Sequence, residues 1–215
     1  MFTPFLLKPC SLHQSVDLVE NRRVYNLNMI YFIGGAPRTG KSLLGQSVAA
    51  KLRIGWISTD LLMELLRVKQ DEGVKVEWDA TPEAIVANAE WFFPYLERFV
   101  WGASSQAESY LIEGVDFLPA QIVQLSLKYH LRAVFLGCSK LTLEQFDQFP
   151  GRSPGYSQLP ESFRRQIVDD IPLWSDFIQQ EARRFGYPYF DMAGDFPSRL
   201  KEAEAVISAD TQVDS

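Results

Sequence analysis

The chain has little of what redox and transition-metal chemistry require: two cysteines and two histidines in 215 residues. Cys10 and Cys138 cannot build a disulfide scaffold, and with His13 and His130 they cannot close a zinc site unaided. There is no surplus of positive charge either, since 21 Lys+Arg stand against 27 Asp+Glu for a formal net charge of −6. Broad nucleic-acid binding needs a basic footprint to displace counterions, so no nucleic-acid partner is expected. The same deficit leaves room for a local basic pocket. No apolar run approaches the roughly 18–20 residues of a membrane-spanning helix, so no membrane partner is expected. The apolar start between Phe2 and Leu7 is broken by Pro4 and lacks a basic region before it, which does not read as a signal peptide. A cytoplasmic location is expected. What remains is ordinary globular material, 47% hydrophobic and 22% charged, enough for a substantial core.

Residues 1–28 have mixed polarity and no sustained period. They read either as an extension ahead of a start at Met29 or as an arm packed on the domain. From 29 to 208 short apolar runs alternate with helical patterns, and 209–215 is a polar tail. Strands are expected at 29–33, 55–58, 109–112, 132–136 and 187–190, the last edge-like because Pro188 lies inside it. Helices are expected at 41–52, 60–69, 81 to about 101, 119–128, from 142, 161–169, 173–185 and 199–208. Thr81 followed by Pro82, and the T-L-E-Q capping box at 142–145, mark two of the starts. This alternation predicts an α/β domain on a parallel sheet.

Directly after the first strand stands Gly35-Ala36-Pro37-Arg38-Thr39-Gly40-Lys41-Ser42. It matches G-x-x-x-x-G-K-[ST] at every fixed position, between a buried strand and an amphipathic helix, the context this motif requires. Glycines let backbone N–H groups turn inward around phosphate oxygens, and the following helix aims its positive end at the same anion. The motif predicts a nucleoside triphosphate with Mg²⁺. Residues Gly35 to Leu43 would form its cradle, Lys41 would reach the β/γ-phosphates and Ser42 would ligate the metal. Arg38 reads either as a phosphate contact or, preferably, as a solvent-facing side chain.

Two acidic positions follow. The second strand ends in Ser58-Thr59-Asp60, where α/β sheets place their ligands. Asp60 would accept a proton from an attacking hydroxyl or hold water around Mg²⁺, or Thr59 or Asp60 would merely cap the next helix; one residue can do both. The third strand ends LIEGVDFLP, and Glu113 at its terminus fits the Walker B position that holds Mg²⁺. Asp116 reads equally as substrate-facing or as a residue leading into the next helix.

GGAPRTGKS, then STD on the second strand, then LIEGV with a following proline, resembles the small P-loop kinases. That group includes adenylate-kinase-like, shikimate, gluconate, antibiotic, zeta-toxin-like and 2-phosphoglycerate-kinase-like enzymes, and the resemblance spans roughly 29–208. It implies a three-layer α/β/α P-loop NTPase fold with a five-stranded parallel sheet ordered 2-3-1-4-5. It also implies a mobile lid between strands four and five, and Asp60 as catalytic base. Lid arginines that clamp the transferring phosphate would be Arg152, Arg164 or Arg165. The two-arginine lid spacing of an adenylate kinase is missing. Asp191, ending the fifth strand, falls where the group holds adenine, or merely caps. Arg183 and Arg184 read as surface residues.

The acceptor side is expected within 61–101, where Arg67 would hold an anion and Trp78, Trp91, Phe92, Phe93 and Tyr95 are read as core ahead of ligand platform. The resulting expectation is an ATP- and Mg²⁺-dependent kinase with catalytic Lys41, Asp60, Arg152 and Arg164 and metal-binding Ser42 and Glu113. Its acceptor is expected to be a small, anionic metabolite or a nucleotide. The alternative is an ATPase or GTPase switch without an acceptor. Against the GTP form, LGCSKLT after the fourth strand contains no N-K-x-D guanine-reading segment.

Overall fold

The computed structural model describes residues 28–67, 78–149 and 158–209. The described residues begin with β1 (Ile30–Gly35), α1 (Lys41–Leu52), β2 (Gly55–Ser58), α2 (Thr59–Arg67) and α3 (Pro82–Ser105). It continues through β3 (Tyr110–Glu113), α4 (Pro119–Ser126), β4 (Leu131–Gly137), α5 (Leu143–Gln148), α6 (Glu161–Arg184), β5 (Tyr189–Asp191) and α7 (Phe196–Ile207). The five strands form one sheet in the order β2-β3-β1-β4-β5, every pairing parallel. The order expected from the family resemblance is the observed one.

The central strands are apolar on both faces because helices cover both. Ile30, Phe32, Ile112, Ala133 and Phe135 point to one side, into a core shared with Ile85, Phe92 and Leu96 of α3, Ile122 of α4, and Trp174 and Ile178 of α6. Ile33, Leu111, Val134 and Leu136 point to the other, against Leu44 and Val48 of α1 and Ala203 and Ile207 of α7. The three layers bring the carboxyl ends of β1, β2 and β3 together along one edge.

Element ends shift from expectation by up to four residues, and three departures have an identifiable physical reason. The two helices expected at 161–169 and 173–185 are one, α6, which runs through Pro172. Proline removes one N–H and crowds the preceding turn, yet Ile167, Val168 and Ile171 before it and Trp174, Ile178 and Ala182 after it bury one stripe. Packing on both sides of the proline holds the helix together. α7 begins at Phe196, three residues earlier than expected, with the Asp195 carboxylate accepting from Ser198 N at 3.2 Å and a proline in the first turn. β5 begins after Pro188, whose carbonyl accepts from Phe135 N at 2.9 Å, so no ladder donor is lost. Residues 1–27, the end of the expected second helix and most of the Pro/Gly loop after α5 lie outside the described residues. Among the described residues no helix is long and apolar enough to cross a membrane.

Candidate functional site

The loop from Ala36 to Gly40 joins β1 to α1 at the carboxyl edge of the sheet. Its turn needs left-handed backbone at Gly35 (φ 130°), Arg38 (φ 65°) and Gly40 (φ 85°). Gly40 is further constrained by packing, because a β-carbon there would fall 2.6 Å from the Phe196 ring. α1 starts with no side-chain cap and no acidic residue in its first turn. No side chain of the helix itself therefore neutralises its positive end, an arrangement that fits an anionic ligand.

Inside the loop the carbonyl of Ala36 accepts from Thr39 Oγ1 at 2.8 Å and from Lys41 Nζ at 2.6 Å. Lys41 is only 6% exposed. Burial lowers its pKa to about 8, against the opposing pull of the Glu113, Asp60 and Asp116 carboxylates. Arg38 does not face solvent as preferred from sequence. Its guanidinium donates to the carbonyls of Phe146, at 3.2 Å, and Phe149, and stacks 4.5 Å above the Phe146 ring. The reason is the end of α5, whose last carbonyls lack helical donors and accept from a nearby cation. Leu43 has an exposed side chain, so it can contribute to the cradle only through its backbone.

The third strand brings Glu113 to the loop. Ser42 Oγ donates to Glu113 Oε1 at 3.0 Å, and the Ser58 hydroxyl from the end of β2 donates to the same carboxylate. Glu113 is 2% exposed; burial raises its pKa, with Lys41 and the two hydroxyls pulling the other way. Ser42 and Glu113, the two positions expected to serve a metal, are thus in direct contact. Among the described residues no group of three or more His, Cys, Asp or Glu could hold a metal by itself.

Asp60 stands in the first turn of α2, exposed to solvent. It is near enough to influence the titration of Lys41, Glu113 and Asp116. Asp116 is buried and accepts from Thr59 Oγ1 at 2.5 Å and Asn88 Nδ2 at 3.0 Å. Sequence reasoning missed Asn88. The available signal was position: it lies on the stripe of α3 that buries Ile85, Ala89 and Phe92, where a polar side chain needs a partner.

The arginines divide. Arg152 lies outside the described residues, as does the side chain of Arg67. Arg164, 19% exposed, pairs with Asp147 of α5, the helix that also receives Arg38. Its Nε is buried without a hydrogen-bond partner. Arg165 pairs with Glu161 at 2.6 Å on an exposed face. Arg183 and Arg184 end α6 where β5 begins, at the sheet edge opposite the loop. Asp191 accepts from Ser139 N at 2.9 Å and Ala193 N at 3.0 Å, tying the turns after β4 and β5. Of the expected aromatics, Phe92 is fully buried and Phe93 partly so. Trp78 donates to Asp170 Oδ2 at 2.7 Å and packs 5.8 Å from Trp174. Trp91 and Tyr95 instead lie exposed on the outer face of α3, which corrects the reading of both as core.

Strand order 2-3-1-4-5 with a glycine-lysine phosphate loop between β1 and α1 defines the P-loop NTPase fold. No protein-family model matches the chain, and no curated protein matches it. Solved structures similar to it include an uncharacterized protein from Eubacterium ventriosum, 15% identical over 85% of this chain and 99% of that one, with a TM-score of 0.48. A gluconokinase from Sinorhizobium meliloti is 19% identical over 84% and 92% of the two chains, with a TM-score of 0.46. A shikimate kinase from Bacteroides thetaiotaomicron is 16% identical over 83% and 97%, with a TM-score of 0.48. The fold assignment stands on the strand order and the loop themselves.

Proposed function

We propose that the chain is an ATP- and Mg²⁺-dependent phosphotransferase for a small acceptor, an anionic metabolite or a nucleotide. The observation that carries this reading is an exposed carboxylate, Asp60, sharing one electrostatic neighbourhood with the buried phosphate-loop lysine. A nucleotide-binding switch needs the loop; it does not need a solvent-facing acid at the end of β2.

The backbone N–H groups of the loop and the start of α1 would hold the phosphates, with Lys41 adding a fixed positive charge. Ser42 and Glu113 would hold Mg²⁺, which supplies charge neutralisation on the transferring group when bound. Asp60 would accept the proton of an acceptor hydroxyl as that oxygen attacks. Arg164, beside α5, and Arg152 are the candidates to meet charge developing on the phosphoryl group.

The test is incubation with labelled ATP and a panel of phosphorylated metabolites, other anionic metabolites and nucleotides. ADP release that depends on one acceptor supports the kinase; release independent of any acceptor supports the switch. Asp60→Asn is expected to keep ATP affinity within about twofold and to lose turnover by roughly 10²–10⁴-fold. Unchanged turnover in that variant removes Asp60 from the reaction.

A further inference from the structure

Asp116 has the burial of a core residue and the chemistry of a site residue. It is 5% exposed, lies three positions past the end of β3, and both of its hydrogen-bond donors are neutral. Thr59 Oγ1, from the first residue of α2, reaches Oδ2 at 2.5 Å, while Asn88 Nδ2, from α3, reaches Oδ1 at 3.0 Å. One carboxylate therefore joins the loop after β3 to the first turn of α2 and to α3.

Thr59 is held from a second direction. It is fully buried, and its side chain lies directly over Gly114, where a β-carbon would come within 1.7 Å of Thr59 Oγ1. A threonine at a helix start ordinarily turns its hydroxyl back to the helix's own N–H groups; this one crosses to another element. The anchor acts at the start of α2, which is described over Thr59–Arg67. Leu61 and Leu65 are 58% and 69% exposed, and the apolar contact of α2 with the core comes from buried Met63 and partly buried Leu62 and Leu66.

We infer, granted the phosphotransferase reading, that Asp116 is a positioning residue that fixes the first turn of α2 through Thr59 and thereby holds the neighbouring Asp60 in place against Lys41. Burying a carboxylate against neutral donors costs free energy that an apolar contact of the same shape would not. A fully hydrogen-bonded buried group returns a single defined geometry. Transfer chemistry is sensitive to that geometry, since misplacing a reacting group by about 1 Å costs on the order of 10²-fold in rate.

The experiment compares Asp116→Ala and Asp116→Asn by three readouts: amide hydrogen exchange across residues 59–62, affinity for a fluorescent ATP analogue, and kcat with KM for the acceptor found in the panel. Asp116→Ala is expected to speed exchange in the first turn of α2 and lower kcat by about 10²-fold, with nucleotide affinity held within about twofold. Asp116→Asn is expected to restore most of kcat, because its amide can accept from Asn88 and donate to the Thr59 hydroxyl. Unchanged exchange at 59–62 in the alanine variant overturns the inference. So does an asparagine variant as slow as alanine, or nucleotide affinity falling in step with kcat. Should Asp116→Ala fail to fold, Asn88→Ala removes one of the two donors and must show the same split with a smaller loss, roughly tenfold. A wild-type chain with no acceptor-dependent turnover refutes the phosphotransferase reading, while the exchange measurement still decides whether Asp116 holds α2.

Discussion

Lys41 carries its charge from a position with almost no water, and the protein supplies only part of the compensation. Burial brings its pKa down to about 8, so in the ligand-free chain the charge is present below that pH and lost as pH rises through it. A bound polyphosphate favours the ammonium and raises the pKa again. ATP binding is therefore expected to take up a proton above pH about 8, with affinity falling by up to about tenfold per pH unit there. Titration calorimetry in buffers of different ionisation enthalpy measures both; an affinity flat to pH about 9.5 would contradict the burial argument. Glu113 runs the opposite way. Its folded pKa is raised by burial, so at neutral pH its charge is a penalty on folding that is relieved as pH falls. Glu113→Gln is expected to raise the melting temperature by about 2–4 °C. The same change should cut Mg²⁺-dependent turnover by about 10²-fold, since Ser42 and any ion beside it lose their anionic partner. Thermal melting with turnover against Mg²⁺ concentration separates the two effects. Lys41 and Ser42 were singled out by the motif spacing and Glu113 by its place at the end of an apolar strand. That Ser42 donates directly to Glu113, and that Arg38 is turned to α5, were not legible in the sequence, because both contacts join positions far apart in the chain.

At the scale of elements, capping chemistry was the most readable signal. Thr81 before Pro82 and the T-L-E-Q box at 142–145 start α3 and α5 where expected, with side-chain acceptors in place. The same logic applied to Asp195-Phe196-Pro197 would have located the start of α7. Pro172 misled because a proline inside a helical pattern argues locally for a break, whereas the stripe from Ile167 to Ala182 is a tertiary fact. It follows that α6 tolerates Pro172 and does not depend on it. Pro172→Ala restores an N–H donor at the cost of some unfolded-state entropy, and should stabilise the protein by about 1–2 kcal/mol, or a few degrees in melting temperature. A lower melting temperature would mean that the proline sets a bend the packing requires.

At the scale of the molecule, the parallel sheet makes the site a meeting of distant segments. α7 packs beside α1, where Ser47 Oγ donates to Glu204 Oε2 at 2.7 Å across 157 positions. Its first residue, Phe196, closes over Gly40 of the phosphate loop. Phe196→Ala should therefore weaken nucleotide binding severalfold and destabilise the fold by about 2 kcal/mol, although it lies 155 residues from Lys41 (196 − 41) and carries no charge. Binding of the fluorescent nucleotide together with denaturant melts tests this, and unaltered affinity would uncouple α7 from the loop. The sequence by itself determined the α/β alternation and the phosphate loop, because hydrophobic period, caps and backbone-demanding glycines are local properties that act within a few residues. Only the tertiary structure decided that α6 is one helix, that Arg38 serves α5 and that Asp116 ties Thr59 to Asn88. Each of those depends on which buried polar or apolar group finds its partner across the sheet, a choice settled by burial and not by neighbours in the chain.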